Sequence, residues 1–134
     1  MSTRTLPASE IEKIRRENEL LTSALNIIEE GIHIVDSSGK TFFYSKSLEK
    51  IENTRAENVL GKHITEAYQL DEDSSILLRV LKTGKPVKNH HTTYFTREGK
   101  KIDIITNTFP ISANGTIIGA VSVNSDITNK KQLI

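Results

Sequence analysis

The side chains that could do chemistry in this chain include four histidines and a short acidic run. The 134 residues contain no cysteine, which excludes disulfides, thiolate metal sites, cysteine nucleophiles and cysteinyl photo-adducts. His90 and His91 are neighbours on a predicted strand, so their side chains point to opposite faces and do not form a chelating pair. His63, beside Gly61, is a candidate axial ligand for haem, but a solvent-facing loop position is the commoner role of such a histidine. The histidines therefore predict no metal site.

The acidic run Asp71-Glu72-Asp73 is the other group with catalytic potential. Its members are adjacent and precede a predicted helix, which is typical of solvated capping residues rather than of an acid and base pair. The sequence contains no Ser-His-Asp spacing and no Gly-x-x-x-x-Gly-Lys-Ser/Thr loop to cradle a phosphate. We therefore expect that this chain is not an enzyme.

The length and charge of the chain limit its organisation and its partners. With 36% hydrophobic and 26% charged residues, 134 residues suit one ordinary domain. Eighteen Lys and Arg against seventeen Asp and Glu leave a net charge of +1, so we expect no nucleic-acid binding by this segment. The apolar runs are short and the amino terminus lacks a signal-peptide pattern, which predicts no membrane insertion and a cytoplasmic location.

An amphipathic helix is predicted from Ser9 to Ile28, with Ser9 as its cap and Gly31 as its end. Its apolar residues recur three and four apart, and a buried asparagine in such a stripe prefers to pair with its copy in a two-stranded coil. The a and d positions of the resulting dimer seam are Ile11, Ile14, Asn18, Leu21, Leu25 and Ile28. The alternative is that this stripe packs on the chain's own domain. Leu20 and Ile27 widen the apolar surface and favour a helix that makes both contacts.

The rest of the chain alternates between β-rich runs and short helical pieces. Turn signals separate two strands, three helical pieces and three further strands, which places helices in the middle of an antiparallel sheet. The fold class is therefore α+β. The strands are predicted at 31–36, 41–44, 87–96, 101–111 and 116–125, and the helical pieces at 48–53, 56–68 and from the cap residues 73–75 to Gly84.

The segment Gly119–Lys131, GAVSVNSDITNKK, resembles the end of a PAS domain, where the last strand meets an Asp-Ile-Thr exit motif and a signalling helix. Gly31–Asp36 with its Ser-Ser-Gly turn, Ala56–Lys62 and Phe109–Ile111 are similar to PAS sequences as well. This resemblance covers roughly residues 25–131 and implies a PAS fold, a five-stranded antiparallel sheet with central helices. We expect a coiled-coil helix over 1–30, the PAS domain over 31–128 and the start of an exit linker helix over 129–134.

The chain is also similar to the amino-terminal PAS domains of sigma-54-dependent transcriptional activators that regulate arginine utilisation. The residues in common are Gly31–Asp36, Thr93–Phe95 and Thr108–Ile111. This resemblance implies a regulatory fragment that binds a small effector, forms a homodimer and controls a downstream ATPase, while DNA is bound by domains absent from this segment. The alternatives are a ligand-free PAS dimerisation module and the sensor of a histidine kinase.

Strand parity identifies candidate ligand-binding residues once the PAS resemblance is accepted. Asn124 occupies the place where flavin-binding relatives hold a cofactor-contacting glutamine, and on the first hairpin the same parity turns Val35 and Phe42 inward. The inward polar set, which we predict to bind a small organic effector, is His33, Tyr44, Thr92, Tyr94, Thr106, Thr108, Ser122 and Asn124. Mutual hydrogen bonds and a few waters are the alternative partners for these side chains.

The resemblance also bears on cofactors and on signal output. Haem-binding relatives commonly ligate from the helix before the third strand, but Ser74–Thr83 contains no histidine, and light-sensing flavin chemistry needs a cysteine. We therefore expect neither haem nor flavin. At the exit motif, Asp126 and Thr128 are predicted to couple the pocket to the output, because they can cap backbone donors at the start of the next helix.

Overall fold

The computed structural model describes residues 5–68, 71–95 and 99–128. An N-terminal helix precedes a five-stranded antiparallel sheet, and further helices connect the second strand to the third. The elements are α1 (Ala8–Ile27), β1 (Gly31–Asp36), β2 (Thr41–Tyr44), α2 (Lys46–Glu52), α3 (Ile64–Tyr68), α4 (Ile76–Thr83), β3 (Val87–Phe95), β4 (Lys101–Ala113) and β5 (Thr116–Asp126), with single-turn 3₁₀ helices at Ala56–Asn58 and Glu72–Ser74. This architecture confirms the predicted α+β class and PAS fold. The predicted exit helix over 129–134 lies outside the described residues.

The strand order in the sheet is β2-β1-β5-β4-β3, so the first and last strands of the domain are central neighbours. The β4–β5 hairpin turns at Asn114 and Gly115, which both have positive φ, at 52° and 78°. Two successive residues of positive φ match the right-handed twist of the flanking strands, and Asn-Gly is the pair that adopts this conformation most readily. This turn, together with a bulge where the register shifts between Ile111 and Ser112, aligns Thr106 with Asn124 and Thr108 with Ser122.

A bulge interrupts the pairing of β1 with β2 and corrects one predicted orientation. Ile34 pairs with Phe43 but Val35 pairs with Thr41, so Phe42 is the extra residue. Phe42 is 71% exposed, whereas Phe43 is buried. The prediction that Phe42 points inward is therefore wrong, because one inserted residue reverses the alternation of a strand beyond it.

The core lies between the inner face of the sheet and the helices. One hydrophobic cluster contains residues from strands β1 and β5 and from helices α3 and α4. Its buried members are Val35, Ile64, Leu77, Val80 and Ala120. A second cluster lies around α2, with Tyr44, Leu48 and Val59 as its buried members. Helix α4 begins at the predicted cap, where the Ser75 hydroxyl accepts a hydrogen bond from the Leu78 amide at 3.2 Å, and ends at Gly84 with φ 70°. Helices α2, α3 and α4 supply part of the lining of the site described below.

The two ends of α1 differ from the prediction. The helix begins at Ala8 with Pro7 in the N-cap position and no side-chain cap, so Ser9 lies inside the helix and is not its cap. It ends at Ile27, and Ile28 is extended, with φ −65° and ψ 129°. Ile28 is therefore not a helical d position of the seam, and Gly31 opens β1 instead of closing the helix. The extended backbone of Ile28 ends the helix, and bends at Glu29 and Glu30 lead the chain into β1.

The apolar stripe of α1 is uncovered. No residue of the helix is buried, and Ile11, Ile14 and Leu21 are 44%, 47% and 62% exposed. The alternative in which the stripe packs on the chain's own domain is therefore wrong for these residues, and among the seam positions of the described helix only Leu25 is half-buried. Helix α1 is tied to α2 only near its end, where Asn26 accepts a hydrogen bond from the Lys46 amide at 3.0 Å. Among the described residues, no helix is both long and apolar enough to cross a bilayer.

Candidate effector pocket

Four polar side chains of β4 and β5 form a buried ladder on the inner face of the sheet. Thr108 and Ser122 share a hydrogen bond of 2.8 Å between their hydroxyls, and Thr106 donates to Oδ1 of Asn124 at 2.8 Å. The Asn124 amide nitrogen donates in turn to the Gly31 carbonyl at 3.1 Å. Buried polar atoms need partners, and in this ladder the side chains partner one another. The ladder residues are therefore partly satisfied without a ligand.

His33 is buried on β1 beside this ladder. Its Nε2 lies 2.8 Å from the Thr41 hydroxyl, and its Nδ1 lies 3.4 Å from the Tyr68 hydroxyl. The imidazole also meets the ring of Tyr44 edge-on, with the ring centroids 5.4 Å apart. Burial lowers the pKa of His33 from 6.5 to about 4, because the charged imidazolium loses its hydration. At neutral pH His33 is therefore an uncharged hydrogen-bonding group.

Glu52, at the end of α2, brings a carboxylate to this site that the sequence analysis missed. Its Oε1 accepts hydrogen bonds from the hydroxyls of both Tyr44 and Tyr68, the latter at 2.8 Å. Burial raises the pKa of Glu52, against the opposing effect of these two hydrogen bonds. Burial, followed by the charge of Glu52, also raises the pKa of Tyr68. The sequence contained one signal for this position: Glu52 follows the buried Leu48 by four residues, so the two side chains lie on the same face of α2.

These groups surround a cavity of about 210 Å³ between the sheet and helices α2, α3 and α4. One side is polar and another is aliphatic, which is the usual composition of a small-molecule site. The lining residues are His33, Leu48, Glu52, Ile64, Tyr68, Ser74, Ser75, Ile76, Leu77, Ser122 and Asn124.

Three members of the predicted polar set line this cavity directly: His33, Ser122 and Asn124. Tyr44 donates a hydrogen bond to Glu52 but does not line the cavity, and Thr106 and Thr108 are the two ladder members that do not line it. Thr92 is half-buried on β3 and does not line the cavity. The backbone of Tyr94 pairs with Ile102, but its side chain lies outside the described part of the structure. Ligand binding by this set stays a prediction.

The exit motif is tied to the neighbouring strand. Oδ1 of Asp126 accepts hydrogen bonds from the Thr128 amide at 3.0 Å and from its hydroxyl at 2.5 Å. The Thr128 hydroxyl oxygen accepts from the Asp103 amide at 3.0 Å, and the Ile127 amide donates to the Asp103 carbonyl at 2.9 Å. Asp126 therefore fixes a turn that holds the end of β5 against β4.

The remaining histidines have ordinary partners. Nδ1 of His63 lies 2.8 Å from the Thr65 hydroxyl, and Nε2 of His91 lies 3.3 Å from a carboxylate oxygen of Asp103. His90 is exposed. Within the described ranges, no three His, Asp or Glu side chains are grouped to hold a metal ion.

The sequence of this chain was compared with protein-family models and with known proteins. A protein-family model for the PAS domain matches residues 29–129. The transcriptional activator RocR of Bacillus subtilis is 34% identical over 124 residues, which cover 89% of this chain and 27% of that protein. The chain thus spans about a quarter of the length of this curated relative.

Solved structures share the fold. The PAS domain of Bordetella pertussis BvgS has a TM-score of 0.66 at 20% identity, covering 88% of this chain and 91% of that one. An RNA-binding light-oxygen-voltage receptor has a TM-score of 0.69 at 19% identity, covering 98% of this chain and 38% of that one. At such identities the similarity establishes the fold alone. Together with the family match over residues 29–129, it shows that the chain belongs to the PAS domain family.

Proposed function

We propose that this chain is the effector-binding, non-enzymatic PAS domain of a cytoplasmic sigma-54-dependent transcriptional activator of amino-acid catabolism, arginine catabolism in particular. In this proposal the domain binds a small molecule, forms a homodimer and controls a downstream ATPase, and DNA is bound by other domains of the full protein. The similarity to the activator RocR supports the regulatory part. The observation that supports effector binding is the cavity of about 210 Å³ with His33, Glu52 and Asn124 in its wall.

Effector binding is tested by a thermal-shift panel of metabolites, followed by calorimetric titration with arginine, ornithine and citrulline. A ligand is expected to raise the melting temperature of the wild type, because it binds only the folded chain. Ile76→Phe enlarges a half-buried side chain in the cavity wall and is expected to abolish the shift. Ile118→Phe, at a position 50% exposed on β5, is the matched control and keeps it. If no metabolite shifts the wild type, effector binding is refuted.

A ligand-free dimerisation module is the second candidate, and the buried ladder favours it. Thr106 with Asn124 and Thr108 with Ser122 satisfy one another's hydroxyl and amide groups without any ligand. A wild-type chain that dimerises normally and responds to no metabolite would establish this candidate. The two functions therefore differ in one measurable property, ligand-dependent stability.

Dimerisation through α1 is supported by its uncovered apolar stripe. Leu21 is a d position of the predicted seam and is 62% exposed in the single chain, whereas Leu20 is 72% exposed and lies off the seam. Leu21→Lys is expected to give monomers in analytical ultracentrifugation, because it buries a charge in the coiled coil. Leu20→Lys is the control and remains dimeric. A Leu21→Lys chain with unchanged dimer affinity would exclude the seam as the interface.

Signal output through the exit motif is supported by the hydrogen bonds of Asp126. Asp126→Ala removes the acceptor that holds Thr128 against β4. In the full-length protein we expect ligand affinity to change little, while effector-dependent transcription becomes constitutive or is lost. Normal binding together with a normal transcriptional response would show that this junction is only a covalent tether.

A further inference from the structure

The Glu52 carboxylate has binding capacity that the described protein does not use. Both tyrosine hydroxyls, from Tyr44 and Tyr68, donate to the same oxygen, Oε1. No described residue donates a hydrogen bond to Oε2 of Glu52. A carboxylate offers about four lone-pair sites, and Glu52 lines the cavity, so a cationic donor bound there would pair with this oxygen and favour the ionised form that burial disfavours.

The charged groups around the cavity favour a ligand with a positive charge. Among the described lining residues, Glu52 is the one carboxylate and none is Lys or Arg. His33, the remaining titratable base of the wall, is neutral at pH 7. A ligand carboxylate or phosphate would lose its hydration here without gaining a cationic partner, whereas a protonated nitrogen would gain a charge-assisted hydrogen bond.

The volume of the cavity and its aliphatic lining further limit the kind of ligand that fits. The cavity volume of about 210 Å³ is below the range of about 300–1,000 Å³ that is usual for drug-sized ligands, which suits a short chain and not a nucleotide or a flavin. Leu48, Ile64 and Leu77 present an aliphatic wall that suits methylene groups. The neutral Ser122 and Asn124 at the opposite side already bond within the ladder.

We propose that this cavity binds a small aliphatic amine or guanidine that lacks a free carboxylate, with its protonated nitrogen on Oε2 of Glu52. The inference rests on the proposed effector-binding function and specifies the chemical class of the effector. A zwitterionic amino acid is disfavoured, because its carboxylate would enter a cavity in which no described lining residue is cationic.

Two pairs of compounds test this class, because the members of each pair differ only by a carboxylate. Propylamine is compared with 4-aminobutanoate, and propylguanidine with 4-guanidinobutanoate, by calorimetric titration of the whole chain at pH 7.5, because each carries one positive charge to match the single carboxylate. At least one of the two compounds without a carboxylate is expected to bind about tenfold or more tightly than its counterpart, since the penalty is that of an unpaired buried carboxylate.

Three variants of the chain locate the charge. Glu52→Gln keeps an oxygen for the two tyrosine hydroxyls but removes the negative charge, and it is expected to weaken amine binding by about tenfold or more. Glu52→Asp keeps the charge on a shorter side chain and is expected to retain the preference for the amine. Glu66→Gln makes the same amide substitution at an exposed position of α3 and is expected to leave binding unchanged.

The outcomes separate this inference from the proposed function. If the compounds with a carboxylate bind as tightly as those without, or if Glu52→Gln binds amines normally, the proposed class is wrong and effector binding itself stands. If a neutral or anionic metabolite is the one that binds, the class is likewise wrong. If no compound binds the wild type in the full metabolite panel, both proposals are overturned.

Discussion

The buried imidazole of His33 predicts a specific loss of stability in acid. Its pKa is lowered by burial from 6.5 to about 4, so between these values the unfolded chain takes up a proton that the folded chain does not. At about 1.4 kcal/mol per pKa unit, this gap corresponds to about 3 kcal/mol, of which about 2 kcal/mol is lost between pH 7 and pH 5. Stability from His33 is therefore complete above pH 6.5 and lost as the pH falls towards 4.

Glu52 acts in the opposite direction and must be separated from His33. Its raised pKa means that the folded chain takes up that proton at a higher pH than the unfolded chain, so acidification adds stability through Glu52. The free energy of unfolding is therefore measured by urea denaturation at pH 7, 6 and 5 for the wild type and for His33→Gln, and the difference between the two chains is compared. Both chains contain Glu52, so its effect cancels to first order.

The expected result is that the stability advantage of the wild type over His33→Gln shrinks by about 2 kcal/mol between pH 7 and pH 5. His90→Gln, at an exposed position on β3, is the control and is expected to keep the wild-type pH dependence. Parallel curves for the wild type and His33→Gln would refute the reasoning. An NMR titration in which the His33 imidazole protonates near its ordinary value of 6.5 would refute it as well.

Four substitutions test the packing around the site, and the stability of each variant is measured by urea denaturation. Thr108→Val is expected to lower the free energy of unfolding by about 1–3 kcal/mol, because it leaves the Ser122 hydroxyl unpaired. Ser122→Ala is expected to lower it less in the Thr108→Val chain than in the wild type, and additive effects of the two substitutions would contradict the pairing. Ser75→Ala is expected to cost about 1 kcal/mol through loss of the α4 cap, and an unchanged midpoint would contradict that role. Gly119→Ala is expected to cost about 1–3 kcal/mol or more, because the new methyl would lie 2.5 Å from the Val35 carbonyl oxygen; wild-type stability would show that the two strands separate easily.

The parts of the fold that could be predicted from the sequence are those set by local signals. The first hairpin, the α4 cap at Ser75 and the Asn114-Gly115 turn each depend on residues a few positions apart, and each is present as predicted. The bulge at Phe42 depends on which residue of β1 pairs with it, which no local pattern specifies. The end of α1 was misplaced for a related reason, because hydrogen bonds from α2 to Asn26 and to the Ile28 carbonyl hold the chain there.

The candidate site divides in the same way. Strand alternation placed His33, Ser122 and Asn124 on the inner face of the sheet, and the structure brings them to one cavity. Glu52 escaped prediction because it lies on a helix whose orientation relative to the sheet depends on tertiary packing. The sequence therefore indicated the polar wall but not the carboxylate of Glu52, on which the proposed ligand class depends.

Helix α2 also connects the cavity to α1, so the proposed signal has two structural connections through which it could leave the site. Its first turn holds the end of α1 through the Lys46 amide on Asn26, and its last residue is Glu52, about 9 Å further along the helix axis. A ligand that displaces Glu52 would therefore act on the helix that carries the predicted dimer seam. The other way is through β5 to Asp126, which accepts hydrogen bonds from Thr128. Asp126→Ala interrupts the connection through β5 and leaves the hydrogen bond between α2 and α1 in place. If the transcriptional response to the ligand is lost or becomes constitutive, the signal leaves through β5 and the exit motif. If the response is normal, the signal leaves through α2 and α1.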